Sequence, residues 1–248
     1  MTADPLRFGG EIASANERLR ATVAGLDDAA VRAPSLLPGW TRGHVLAHIA
    51  RNADGYTNLL TWARTGVETP MYPSAERRNA DIEAGAGRSA AEQVADLEAA
   101  ASRFAAAMDA MTPAAWAVPV RHLNGSEMLP PQAVWGRLRE VEVHHVDLGA
   151  GYGPDDWSEA FTLHLLREVV GDLRRPAQPL RVSADDLPFS AEIGAGAGSA
   201  EAEAGAGSAP VEVRGPARAL AAWLTGRSKG DALSRAGGGP LPDVPTWK

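Results

Sequence analysis

The most constraining stretch of this chain is a helix that opens at Pro130-Pro131 and ends near Gly149-Ala150-Gly151. At about 100° per residue, Val134, Leu138, Val141 and Leu148 form one stripe with His145 among them, and Val143 and Val146 cover the far side. A helix apolar over so much of its circumference has to be enclosed on several sides, so other helices must pack around it. Arg137, Glu140, His144 and Asp147 form a polar ridge beside the stripe. Glu140 and His144 are four residues apart and project together. A buried, unpaired carboxylate is costly, so this ridge needs a compensating charge.

Two readings of the ridge stay open on spacing alone. In one, Arg137 or Arg139 neutralises Glu140, and His144 is hydrogen-bonded within the core. In the other, Glu140 and His144 take two corners of a divalent metal. His48 is then the best third ligand, because two histidines and one carboxylate form a zinc set that leaves a position open for chemistry. His44 and His145 read as structural histidines, while His122 and His164 have no informative neighbours.

Further helices are expected at 8–26, at 41–64 with Thr41 as N-cap, at 89–111 with Ser89-Ala90-Ala91-Glu92 as a capping box, and at 157–173. In the second of these His48 and Asn52 share the apolar face of Val45, Ile49, Tyr56, Leu59, Leu60 and Ala63, so both point inward. Long helices with short connections describe an up-and-down four-helix bundle, whose core suits inward-facing ligands from different helices. After Pro176 the grammar changes: 180–183 and 211–214 alternate as short strands, and 216–225 reads as a helix. The expected class is therefore α+β, with a helical bundle over 1–176 and a smaller α/β domain over 177–248. A Gly/Ala-rich insertion at about 194–210 has too little apolar surface to fold and is expected to be a flexible loop or hairpin.

Net charge is −7, and the 24 lysines and arginines are scattered, which sets nucleic-acid binding aside. With no apolar leader and no run of ~20 apolar residues, the chain is expected to be cytoplasmic and independent of membranes. Oligomeric state is not fixed, though a monomer fits. The chain has no cysteine, so it carries no disulfide, thiolate metal ligand or thiol nucleophile of its own.

Three stretches carry a resemblance: Leu37-Pro-Gly-Trp-Thr-Arg-Gly-His-Val-Leu-Ala-His48-Ile-Ala-Arg-Asn-Ala-Asp, Met71-Tyr-Pro-Ser-Ala-Glu-Arg-Arg-Asn-Ala-Asp-Ile-Glu83, and Arg139-Glu140-Val-Glu-Val-His144-His-Val-Asp-Leu148. With Arg214-Gly-Pro-Ala-Arg-Ala-Leu-Ala-Ala-Trp-Leu-Thr-Gly-Arg227, the sequence resembles the mycothiol-dependent maleylpyruvate isomerases, whose N-terminal half is a DinB-like metal-binding four-helix bundle. The resemblance spans nearly the whole chain apart from the Gly/Ala-rich insertion. It implies that His48, Glu140 and His144 bind a divalent metal, zinc by expectation, and that Arg227 is the C-terminal arginine that reaches the active site. It also implies a low-molecular-weight thiol, mycothiol, as cosubstrate. The activity implied is cis-trans isomerisation of maleylpyruvate to fumarylpyruvate, a step in gentisate degradation. The alternatives are a mycothiol S-transferase acting on another electrophile and a non-catalytic DinB-like metal-binding protein.

Overall fold

The computed structural model describes residues 8–173, 179–194, 210–245 and 247. The expected Gly/Ala-rich loop lies outside the described residues, apart from Gly194 and Pro210 at its ends. The class is α+β, and the chain divides into two compact units, Met1–Tyr152 and Gly153–Lys248.

The first unit is helical. Its bundle consists of α1 (Gly9–Ala24), α3 (Arg42–Thr65), α5 (Ala90–Asp109) and α6 (Pro130–Asp147), with a short α2 (Asp28–Arg32) and an intermediate α4 (Ala75–Ala86). Helix α3 packs against α4, α5 and α6, and α1 packs against α5 and α6. Val120–Arg121 (β1) and Glu127–Met128 (β2) pair as a small antiparallel hairpin before α6.

Local chemistry sets the helix ends. Thr41 accepts the His44 backbone N–H at the start of α3, and Ser89 accepts that of Glu92 at the start of α5; such caps contribute about 1 kcal/mol each. Helix α3 stops at Gly66, whose φ of 74° is a left-handed conformation that glycine adopts without strain. The apolar residues expected to face inward on α3 are all buried, and so are His48 and Asn52. On α5 the buried stripe is Gln93, Leu97, Ala100 and Phe104. Val94 and Met108 on the same helix are only partly covered.

Helix α4 was not anticipated, because its only large buried side chain is Ile82. Close approach holds it in place. A Cβ on Gly43 of α3 would sit 2.2 Å from the Ala86 carbonyl oxygen, and one on Gly85 of α4 would sit 2.8 Å from the Ala47 Cβ. The Gln93 side chain donates to the Gly85 carbonyl at 2.9 Å and the Gly43 carbonyl at 3.4 Å, which ties α5 to both helices at the point of contact.

In the second unit, α7 (Glu159–Asp172) and α8 (Ala217–Leu224) pack together beside a four-stranded sheet ordered β4-β3-β5-β6. Strands β3 (Leu180–Ala184) and β5 (Val211–Gly215) run parallel, while β4 (Ser190–Ile193) and β6 (Ser234–Arg235) pair antiparallel at the edges. Trp157 and Phe161 are fully buried, with ring centroids 5.5 Å apart. Helix α7 packs with α8, and both lie in the unit Gly153–Lys248. Edge strands β4 and β6 were not read from sequence. They are four and two residues long, too short to show a periodic pattern.

Candidate metal centre

The start of α3 is fastened to the end of α6. Arg42 donates through Nε to the Leu148 carbonyl at 2.7 Å and through Nη2 to the Gly149 carbonyl at 3.0 Å, so a cation answers the carbonyls that a helix C-terminus leaves unpaired. The Leu36 N–H donates to the Asp147 carbonyl at 2.8 Å. With α3 starting where α6 ends, His48, less than two turns into α3, comes level with Glu140 and His144 in the last two turns of α6.

The three side chains converge. His48 Nε2 lies 3.1 Å from Glu140 Oε2 and 3.1 Å from His144 Nε2, and His144 Nε2 lies 3.4 Å from Glu140 Oε2. Ligand atoms about 2.0–2.1 Å from a tetrahedral zinc are about 3.3 Å from one another, so this triangle already has the dimensions of three corners of such a site. Among the described residues, it is the only group of at least three histidine and carboxylate side chains that could hold a metal ion. His48 is buried, while Glu140 and His144 retain some exposure.

Burial pulls the His48 imidazole down to about 4, against a hydrogen bond to Glu140, so it is neutral at physiological pH. Burial also opposes the charge on His144, but hydrogen bonds to Asp147 and Glu140 outweigh it and push the ring up to about 9. Burial raises the Glu140 carboxyl, yet hydrogen bonds with His144 and His48 hold it well below the usual range. Two imidazole nitrogens thus compete for one carboxylate oxygen, an arrangement that a divalent cation on the three atoms would relieve.

The surrounding residues divide by role. Asp147 accepts from His144 Nδ1 at 2.8 Å, which leaves the Nε2 of that ring turned toward His48 and Glu140. The turn before α3, with Gly39 at φ 79°, sets Trp40 edge-on to His48 with centroids 5.7 Å apart. Arg139 donates to Glu140 Oε1 at 3.3 Å, as one of the two ridge readings expects. Arg137 does not take that part: it is buried and donates instead to the Ile49 carbonyl at 2.7 Å and Asn52 Oδ1 at 3.1 Å. Asp147 was visible as a ridge residue, but its service to His144 was not. Two further neighbours, Arg78 and Tyr72, come from the 71–83 stretch, and no spacing rule connects them to the triad.

The histidines given structural readings behave so. His44 sits in the α3 capping box, with Nε2 3.1 Å from Glu83 Oε2. His145 hydrogen-bonds Thr22 at 2.8 Å and stacks on Tyr152 at 3.7 Å between centroids.

Residues 12–149 match a domain described as "Mycothiol maleylpyruvate isomerase N-terminal domain", which is more than half of the chain. The chain belongs to the mycothiol maleylpyruvate isomerase family. No curated protein matches it in sequence. Among solved structures it is similar to the crystal structure of the mycothiol-dependent maleylpyruvate isomerase, with a TM-score of 0.81, 29% identity and coverage of 95% of this chain and 94% of that one. A histidine-to-alanine mutant of that enzyme gives a TM-score of 0.80 at the same identity and coverage. This mycothiol maleylpyruvate isomerase family member therefore shares its fold with those structures through both units.

Arg227, the remaining expected site residue, lies in the second unit two residues beyond the α8 C-cap, Thr225. Its backbone N–H donates to the Ala222 carbonyl at 2.7 Å, and its Nη1 donates to the Thr225 carbonyl at 2.6 Å. The guanidinium is partly buried and held against the end of α8.

Proposed function

We propose that this protein is a mycothiol-dependent cis-trans isomerase acting on maleylpyruvate, with His48, Glu140 and His144 as ligands of a divalent metal, zinc by preference. The convergence of His48 Nε2, Glu140 Oε2 and His144 Nε2 in a chain without cysteine carries this reading. Three protein ligands leave a coordination position open, the arrangement of catalytic zinc sites.

Rotation about the substrate's C=C bond requires the π-bond to be removed first. Thiolate addition does this: the sulfur bonds to one alkene carbon, and the π electrons pass through the conjugated system onto the ketone oxygen as an enolate. The resulting single bond rotates, the enolate collapses, and expulsion of the thiolate restores the alkene as the trans isomer. The thiol is returned unchanged. A free thiol, with pKa ~8.5, is only a few per cent thiolate at neutral pH, and a bound divalent metal would supply the Lewis acidity that raises that fraction.

The chain's own residues position and neutralise. Asp147 holds His144 with Nε2 turned inward. Arg227 would meet a substrate carboxylate or the developing enolate, where a charge-assisted hydrogen bond contributes most.

The test combines metal content with thiol accounting. Purified protein should carry about one divalent ion per chain, and His48→Ala, Glu140→Ala and His144→Ala should each lose it while remaining helical by circular dichroism. With maleylpyruvate and mycothiol, fumarylpyruvate should form and the thiol should be recovered. Turnover in thiol-free buffer would sink the mechanism, and one-for-one loss of thiol with substrate would replace it with S-transfer.

A further inference from the structure

Tyr72 has no part in the thiol chemistry, yet packing brings it to the triad. Asn58 of α3 donates to the Pro70 carbonyl at 3.3 Å and to the Met71 carbonyl at 3.4 Å, and Met71 is buried. Gly55 lies seven residues beyond His48, so the two share a face of α3 two turns apart. A Cβ on Gly55 would sit 3.1 Å from Cζ of Tyr72, the carbon that carries the hydroxyl, and 2.9 Å from Met71 Cγ. Glycine at this position leaves the room that lets the phenol end of the ring come down onto the His48 face. On its other side, the guanidinium carbon of Arg78 lies 5.8 Å from the Tyr72 ring centroid, and Arg78 Nη2 is 3.1 Å from His48 Nδ1. One arginine thus spans from the ring to the triad.

Tyr72 is partly exposed, and among the described residues nothing accepts a hydrogen bond from its hydroxyl. Tyr152 differs, since its hydroxyl donates to Glu142 Oε2. Burial pushes the Tyr72 phenol up to about 12, against the neighbouring Arg78 cation, so it keeps its proton at physiological pH. A protonated phenol beside a guanidinium is a polarised donor, and it gains most from an acceptor on which negative charge develops. Thiolate addition creates such an acceptor, because the π electrons of the alkene pass to the ketone oxygen.

We infer that Tyr72 donates a hydrogen bond to the ketone oxygen of the substrate, and that this bond strengthens as the oxygen becomes an enolate. The inference rests on the isomerase reading and deepens it by naming the group that holds the reacting carbonyl. No proton is transferred: the O–H stays on the phenol, and the electrons return from the oxygen to the alkene when the thiolate is expelled.

The experiment compares full-length, metal-containing wild type with Tyr72→Phe, which deletes the hydroxyl and keeps the ring against Gly55. With maleylpyruvate and mycothiol, kcat should fall about a hundredfold, more than KM rises, while metal content and melting temperature stay at wild-type values. Calorimetric titration with acetopyruvate, which has the substrate's diketone and carboxylate but no alkene, should show binding about tenfold weaker in the variant. Unchanged kcat or unchanged acetopyruvate affinity overturns the inference, as does a loss of activity matched by a loss of metal or of melting temperature. A wild type that does not isomerise maleylpyruvate fails the isomerase reading. Acetopyruvate affinity that still drops in Tyr72→Phe would then keep the hydroxyl as a receptor for a keto oxygen, and equal affinity would overturn it as well.

Discussion

Asp147 and His144 are joined by a 2.8 Å hydrogen bond between neighbouring turns of α6, with the carboxylate buried and the ring edge still partly open. This bond assigns the two ring nitrogens different work, since Nδ1 is committed to Asp147 and only Nε2 can meet a metal. Replacing the carboxylate by the isosteric amide removes the charge and frees the ring to turn. Asp147→Asn should therefore bind Zn2+ about 10–100-fold more weakly than wild type, with little change in helix content. Chelator competition and circular dichroism together check this; unchanged affinity would mean that packing alone orients His144.

Metal binding should release a proton. The metal-free His144 ring is pushed up to about 9, so at pH 7 its Nε2 holds a proton that the metal must displace, whereas His48, pulled down to about 4, is already neutral. Apparent Zn2+ affinity should rise about tenfold per pH unit from pH 7 and level off near pH 9. For stability of the metal-free protein the signs are opposite. The His144 contribution is complete below about 6.5 and is lost as pH rises through 9, while His48 destabilises as pH falls from about 6.5 towards 4. A flat affinity between pH 7 and 9 would show that His144 does not hold that proton.

Arg227→Ala should lower isomerase turnover about a hundredfold while metal content and melting temperature stay near wild type. Arg214, exposed beside Glu212, and Arg218, partly exposed on α8, serve as controls and should tolerate alanine. Near wild-type turnover in Arg227→Ala with a large loss in either control would show that another arginine was the right match.

Gly43→Ala tests how α4 is seated. The added Cβ would lie 2.2 Å from the Ala86 carbonyl oxygen, a backbone atom that cannot swing aside as a side chain can. Helix α4 would have to back away and loosen the Gln93 hydrogen bonds, a loss of about 1–3 kcal/mol. Chemical denaturation of the variant provides the measurement, and wild-type stability would mean that α4 shifts freely.

Where residues carry periodic or capping signals, the sequence was readable. Thr41, Ser89 and the stripes of α3 and α6 yield the bundle, and the inward face shared by His48 with Val45 and Ile49 yields its orientation. For the polar ridge of α6 spacing alone left two readings open, and it was the resemblance that joined His48 to Glu140 and His144, three side chains that the fold brings together. What was not legible depends on backbone proximity. Helix α4 presents Glu76, Arg77, Arg78, Asp81 and Glu83 with a single large buried residue, so it has no stripe, and glycine-to-carbonyl contacts that only coordinates reveal seat it. Arg137 and Arg139 could not be told apart as partners of Glu140 for a related reason: Arg137 donates to an α3 carbonyl that has no sequence signature, and Arg139 takes the carboxylate.

His48 and Glu140 are 92 residues apart in the chain, and on the metal-ligand reading that separation would govern when metal can be acquired. During synthesis α3 leaves the ribosome long before α6, so His48 has neither Glu140 nor His144 beside it until most of the first unit has been made and packed. Metal would then act as a late clip on an assembled bundle, not as a seed for its folding. The ion retained would be decided by exchange through the partly open Glu140–His144 side, so the metal supply of the cell after folding would determine which ion the protein carries.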